Sequence, residues 1–225
     1  MFDLGSNVGF ELADRAALAL SADGRRVLVL ARHFHSQPAT AYEVYTCDTQ
    51  TCRTVIVEPS GAHRDSGRFA IDASGTWVAF ESSATGDREV WLADLSQGTL
   101  TNVSRAEGAD FAPILSEDGR SVAFLRHGGT EIVVAEPDHG AAATRVVATG
   151  SNGRLAMRFL ANGRVLCTHP DAPETFIIDP AGGTRRDLEQ LDGENLLGVS
   201  PDARRAIVLR DGGPAGKLAI IDLEE

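Results

Sequence analysis

The stretch SEDGRSVAF, Ser116–Phe124, decides the architecture because the chain repeats it. SADGRRVLVL begins at Ser21, DASGTWVAF at Asp72, LANGRVLC at Leu160 and SPDARRAIVL at Ser200. Each copy is a polar turn, usually with glycine, that leads into an apolar run. The turn glycine recurs at Gly24, Gly75, Gly119 and Gly163, with Ala203 in the fifth copy. A second landmark, an acidic residue closing a hydrophobic strand, recurs at Asp48, Asp94, Glu136, Asp179 and Asp222. Two independent landmarks share one period of about 44 residues, within the range of propeller blades.

Each unit reads as four strands. In the third unit they are FAPILS from Phe111, SVAFLR from Ser121, TEIVVAE from Thr130 and TRVVAT from Thr144. β-Branched and aromatic residues fill these runs, and Gly, Asp, Asn or Pro separates them. The second strands, such as Val27–Leu30 and Val78–Phe80, are apolar on both faces. A strand covered on both sides belongs in a stack of sheets. The expected fold is therefore all-β: a β-propeller of four-stranded antiparallel blades, about five in number.

With these motifs in place, the chain resembles the TolB-like family of β-propeller repeats, distant relatives of the WD repeats. DFAPILSEDGRSVAFL and VSPDARRAIVL carry the first half of the family's pattern, and EVWLADLSQGTLTNVS the second. Ala203 and Leu160 depart from it, replacing the usual turn glycine and serine. The resemblance spans essentially the whole chain. It implies envelope proteins that bind lipoproteins or peptide segments, and it specifies fold more than function.

The expected organisation is one domain, 1–225, with blades at about 13–63, 64–108, 109–151, 152–193 and 194–225. The last blade lacks a fourth strand, and residues 8–12, VGFEL, are the candidate to close it. Closure would give a five-bladed ring without exposed edges. The alternative is a fragment of a six- to eight-bladed propeller.

Composition narrows the function classes. The chain has 225 residues and a net charge of −11, which disfavours nucleic-acid backbones and anionic membranes. No run of eighteen apolar residues suggests membrane insertion. The N-terminal residues lack the basic and apolar regions of a signal peptide. Cys47 and Cys52 flank DTQT in a hairpin and are the candidate disulfide; it would place the protein in the periplasm or outside the cell, with the cytoplasm as the alternative. Cys167, in a second strand, reads as a buried small hydrophobe.

Strand alternation sorts the loops onto two faces. Asp14, Asp65, Asp110 and Glu194, with Asn152, fall at the starts of the innermost strands. His33 and His35 map to the same face. The expected site is an acidic collar at a channel mouth, receiving a protein or a basic peptide segment. A zinc site joining His33 and His35 to Cys47 and Cys52 is rejected, because the hairpin lies on the opposite face. No nucleophile elbow, His-Glu-x-x-His, phosphate loop or calcium loop occurs. The reading is a non-enzymatic interaction module with no catalytic residues, no metal and no cofactor. The alternatives are the gating propeller of a prolyl-oligopeptidase-type peptidase and, behind it, a propeller glycosidase, for which the inner strands offer only Asp72.

Overall fold

The computed structural model describes residues 10–12, 18–21, 24–33, 40–47, 52–57, 69–83, 86–105, 107–136, 145–148, 155–169, 174–191, 195–200, 204–210 and 217–223. Within the strands of the first sheet, and in 145–148, it is the backbone that is described. Twenty strands and two single 3-10 turns account for the regular structure among these residues. The chain divides into two compact units, 1–124 and 125–225.

In the first unit, β1 (Phe10–Leu12), β2 (Leu18–Leu20), β3 (Arg26–His33), β4 (Thr40–Cys47) and β5 (Cys52–Val57) form one antiparallel sheet. The second sheet is β6 (Phe69–Ile71), β7 (Trp77–Ser82), β8 (Glu89–Asp94) and β9 (Thr99–Asn102), in that order. Phe80, Val78 and Ala93 form its buried centre, with Phe69, Ile71, Trp91 and Leu95 packed against them. The third sheet runs β10 (Phe111–Leu115), β11 (Val122–Arg126), β12 (Glu131–Ala135) and β13 (Arg145–Ala148). The division between units falls within β11.

The second unit continues with a fourth sheet, β14 (Ala156–Phe159), β15 (Val165–Thr168), β16 (Thr175–Asp179) and β17 (Thr184–Asp187). The fifth has three strands, β18 (Asn195–Val199), β19 (Arg205–Arg210) and β20 (Lys217–Asp222). Leu160, Leu166, Ile177, Leu188 and Leu191 pack on Ala206, Val208 and Leu223, so the fourth and fifth sheets share a core. Consecutive four-stranded antiparallel sheets are the blades expected from the repeat.

The repeated turn now has a physical reason. The Ser116 hydroxyl accepts the Ser121 N–H at 2.9 Å and hydrogen-bonds Asp118 Oδ1 at 2.7 Å. The Gly119 N–H donates to the Ser116 carbonyl at 3.0 Å, with Gly119 at φ +71°. Position one of the motif thus caps the start of the second strand, five residues on. Asp72 does the same for the Trp77 N–H at 2.8 Å, and Ser200 for the Arg205 N–H at 2.9 Å. Leu160 cannot, and its turn is held by the backbone bonds from Gly163 to Leu160 and from Leu160 to Arg164, with the Arg164 N–H donating to Asn162. The acidic landmark caps the other hairpin: Asp94 Oδ1 accepts the N–H groups of Ser96 and Gln97, and Asp179 Oδ1 those of Ala181 and Gly182.

One expectation is corrected. Phe10–Leu12, within the segment expected to close the last blade, pairs with β3 instead: Phe10↔His33, Glu11↔Arg32 and Leu12↔Ala31. β2 covers β3 only at Val27–Val29, so the far end of the eight-residue β3 has an open edge that β1 takes. Residues 8 and 9 lie outside the described residues.

Candidate functional site

Of the expected acidic collar, Asp14, Asp65, Asn152 and Glu194 lie outside the described residues, as does His35. His33 ends β3, where its backbone pairs with Phe10. Asp110 stands directly before β10, where the repeat places it, and is completely buried. Its N–H donates to the Arg88 carbonyl at 2.7 Å.

The first unit holds further buried acids. Glu81, near the end of β7, sends Oε1 to the Ala112 N–H at 2.7 Å. Its other oxygen lies 3.7 Å from the half-exposed Arg88 guanidinium. Glu89 accepts the Ser104 hydroxyl at 2.5 Å, while the same Ser104 oxygen accepts the Val90 N–H at 3.0 Å. Ala112 sits at φ +56°, a left-handed conformation that costs an L-residue about 1–2 kcal/mol. The Glu81 carboxylate, taken from the preceding sheet, holds that backbone in place. Such a tie is charge-assisted and stronger than a neutral bond. Sequence reasoning missed Glu81 and Glu89. Their signal was a carboxylate at each side of the β7–β8 connection, next to apolar strands.

At the opposite strand ends the carboxyls serve turns. The Ser116 hydroxyl, then the Arg120 N–H, hold the Asp118 carboxyl below its ordinary pKa against a smaller effect of burial. Burial works to raise that of Asp94, yet the Ser96 hydroxyl and the Gln97 and Ser96 N–H groups together bring it below the ordinary value. Asp72, the acid considered for an in-channel role, is 2% exposed and accepts from Ser74 and Trp77.

The second unit offers a groove instead. A cavity of about 150 Å³ lies along β14 and β18, lined by Met157, Arg158, Leu166, Thr168, Leu196 and Leu197 among others. The Arg158 guanidinium crosses to the Val199 carbonyl at 3.0 Å, joining the two first strands.

Cys47 and Cys52 are direct partners in the β4–β5 register. Cys167 is buried on β15, and burial pushes its thiol up to about 12 against a lesser opposing effect of Arg185. His127 and His169 directly follow β11 and β15. Among the described residues, no group of three His, Cys, Asp or Glu side chains is placed to hold a metal ion, and no helix is long and apolar enough to cross a membrane.

The sequence matches no protein-family model and no curated protein. Solved structures do resemble it. TolB from Acinetobacter baumannii is 18% identical with a TM-score of 0.59, over 92% of this chain and 51% of that one. An oligogalacturonate lyase in complex with manganese is 15% identical with a TM-score of 0.60, over 92% of this chain and 61% of that one. The β-propeller domain of the Trilobed protease from Pyrococcus furiosus is 12% identical with a TM-score of 0.63, over 97% and 70%. The fold is thus of the β-propeller class. The chain spans about half to two thirds of the first two of these proteins.

Proposed function

We propose that the chain is a non-enzymatic interaction module of the bacterial cell envelope that binds a protein or a basic peptide segment. The supporting observation is how its described acids are engaged. Glu81, Glu89, Asp72 and Asp94 each accept from backbone N–H or hydroxyl groups of the scaffold. Carboxylates held this way maintain a surface, whereas acid–base chemistry needs a pair aimed at a substrate. The net charge of −11 then favours a basic partner through long-range attraction.

The test is a titration of the purified chain with a lysine-rich peptide and its glutamate-substituted counterpart at low and high salt. The peptides are weighed by mass spectrometry before and after. Binding of the basic peptide that weakens with salt, without a change of mass, supports the module. Loss of affinity in a D14N/D65N/E194Q variant assigns it to the collar. Cleavage of either peptide would overturn the non-enzymatic reading in favour of a peptidase. Unchanged affinity in the variant would remove the collar from the site.

A further inference from the structure

The groove along β14 and β18 is a wedge between the fourth and fifth sheets, and strand register shows how it is built. Ala156 pairs with Thr168 and Arg158 with Leu166, so these four lie on one face of the fourth sheet. That face turns to the fifth sheet, because Leu166 packs in one core with Ala206 and Val208. Opposite it, β18 is irregular. Leu196 pairs with Val208 and Gly198 with Ile207, which leaves Leu197 as the extra residue of a bulge. The first strands of the second and fourth sheets pair with their neighbours without such a break. A bulge re-aims a side chain, and Leu197 lines the groove while 54% exposed. The space of about 150 Å³ has room for an apolar body about the size of benzene.

The cation of this groove lacks a counter-charge. Acidic residues outnumber Lys and Arg by 32 to 21, so carboxylates are plentiful. Arg88, Arg120 and Arg164 lie against Glu81, Asp118 and Asp179, and Arg185 against both Glu174 and Asp187. Among the described residues Arg158 has no such partner; its Nη2 donates to the Val199 carbonyl at 3.0 Å. That bond holds the guanidinium between β14 and β18 and uses one of its N–H groups. The remaining donors keep the planar fork that matches a carboxylate.

We propose that this groove binds a small monocarboxylate with an apolar body, its carboxylate on Arg158 and its body against Leu166, Leu196 and Leu197. One negative charge suits the site better than two. Among the described lining residues Arg158 is the one charged side chain, and the Val199 carbonyl beside it repels further negative charge. The net charge of −11 opposes an anion at long range, but a Debye length of about 8 Å at physiological salt confines that repulsion. The same chemistry occurs in a free branched-chain acid and in the last residue of a peptide ending in leucine or valine. This inference stands apart from the basic-peptide reading, because the site differs and the ligand carries the opposite charge.

The experiment is an amide chemical-shift titration of the 225-residue chain with isocaproate, run beside its uncharged isostere isocaproamide. The expected result is saturable binding with a Kd of about 1 mM, as suits a ligand of about eight heavy atoms. The shifts centre on residues 156–158, 166–168 and 196–198. The amide binds about tenfold more weakly or worse, since charge-assisted bonds are lost. Arg158→Gln has the same effect, and Arg158→Lys keeps part of the affinity, as a charge without the fork. Ala156→Leu narrows the groove and leaves Arg158 in place. It weakens binding without lowering the melting temperature, because Ala156 is exposed, and it keeps the test decisive should the Arg158 variants disturb the two strands. Glycylglycyl-leucine that binds more tightly than isocaproate assigns the carboxylate to a peptide end; binding no tighter assigns it to a free acid. Equal binding of acid and amide, or affinity indifferent to Arg158→Gln or Ala156→Leu, would overturn the proposal. So would shifts confined to other residues, or no binding at tenfold the expected Kd.

Discussion

Replacing Gly119 with alanine separates two reasons for glycine in the repeated turn. At φ +71° any L-side chain is strained, at about 1–2 kcal/mol. A Cβ built on Gly119 also meets Trp77 Cδ1 at 2.5 Å and Cγ at 3.1 Å. The indole would have to move, yet its backbone is fixed by Asp72 and by pairing with Asp94. Overpacking of this kind costs about 1–3 kcal/mol. The total is roughly 2–5 kcal/mol, or about 4–20 °C of melting temperature for a chain this size. Gly98 is the control, in the same unit, at φ +67° with nothing within 4 Å of its Cβ position. Gly98→Ala should cost only the strain, about 1–2 kcal/mol. Urea unfolding followed by circular dichroism gives both values. A double-mutant cycle with Trp77→Val should show a coupling of about 1–3 kcal/mol. If Gly119→Ala costs no more than Gly98→Ala, the contact between the Gly119 turn and Trp77 is not as described.

Glu81→Ala should destabilise by about 1–3 kcal/mol, because the buried Ala112 N–H loses its acceptor, and Glu81→Gln by less, because its amide oxygen can still accept; urea midpoints check the order. Asp118 and Asp94 have lowered folded-state pKa values, so their stabilisation is present above the unfolded value of about 3.9 and is lost as pH falls through the folded one. Asp118→Asn should therefore flatten the acid limb of a stability–pH curve, and an unchanged limb would contradict the capping role. Mass spectrometry of protein from an oxidising compartment should find Cys47 joined to Cys52. Their loop is short, so reduction should cost about 1–2 kcal/mol at most on the loop-closure argument. Cys167 should resist alkylation at neutral pH until the chain unfolds, since its thiol is buried and pushed up to about 12.

The blades were legible because their signals are local. The bonds that Ser116, Asp118 and Gly119 make to shape the turn close within six residues, and Asp94 caps a hairpin within four. Such chemistry can be read along the chain. The partner of Phe10–Leu12 could not be, because an apolar strand of three residues suits any open edge and only the length of β3 decides the matter. Burial of Asp110 was equally hidden. Sequence places a carboxylate beside a strand start but does not say which way the backbone there turns. The roles of Glu81 and Glu89 escaped for the same reason: Glu81 serves Ala112, 31 residues away.

The bond from Glu81 to Ala112 bears on how such a chain can be cut and joined. It runs from one blade to the first strand of the next, and so does the bond from the Ala73 N–H to the Glu117 carbonyl. A repeat counted from turn to turn is therefore not an independent module. A graft of residues 69–102 into another propeller would carry the accepting carboxylate and leave its donor, the N–H of left-handed Ala112, behind. The host would gain a buried acid that has lost its backbone donor, and the remnant would keep a strained alanine without its clamp. A splice after Leu115 keeps Glu81 with Ala112 and gives up only the Ala73 bond to Glu117, so for this clamp the exchangeable piece is offset from the visible repeat by one strand.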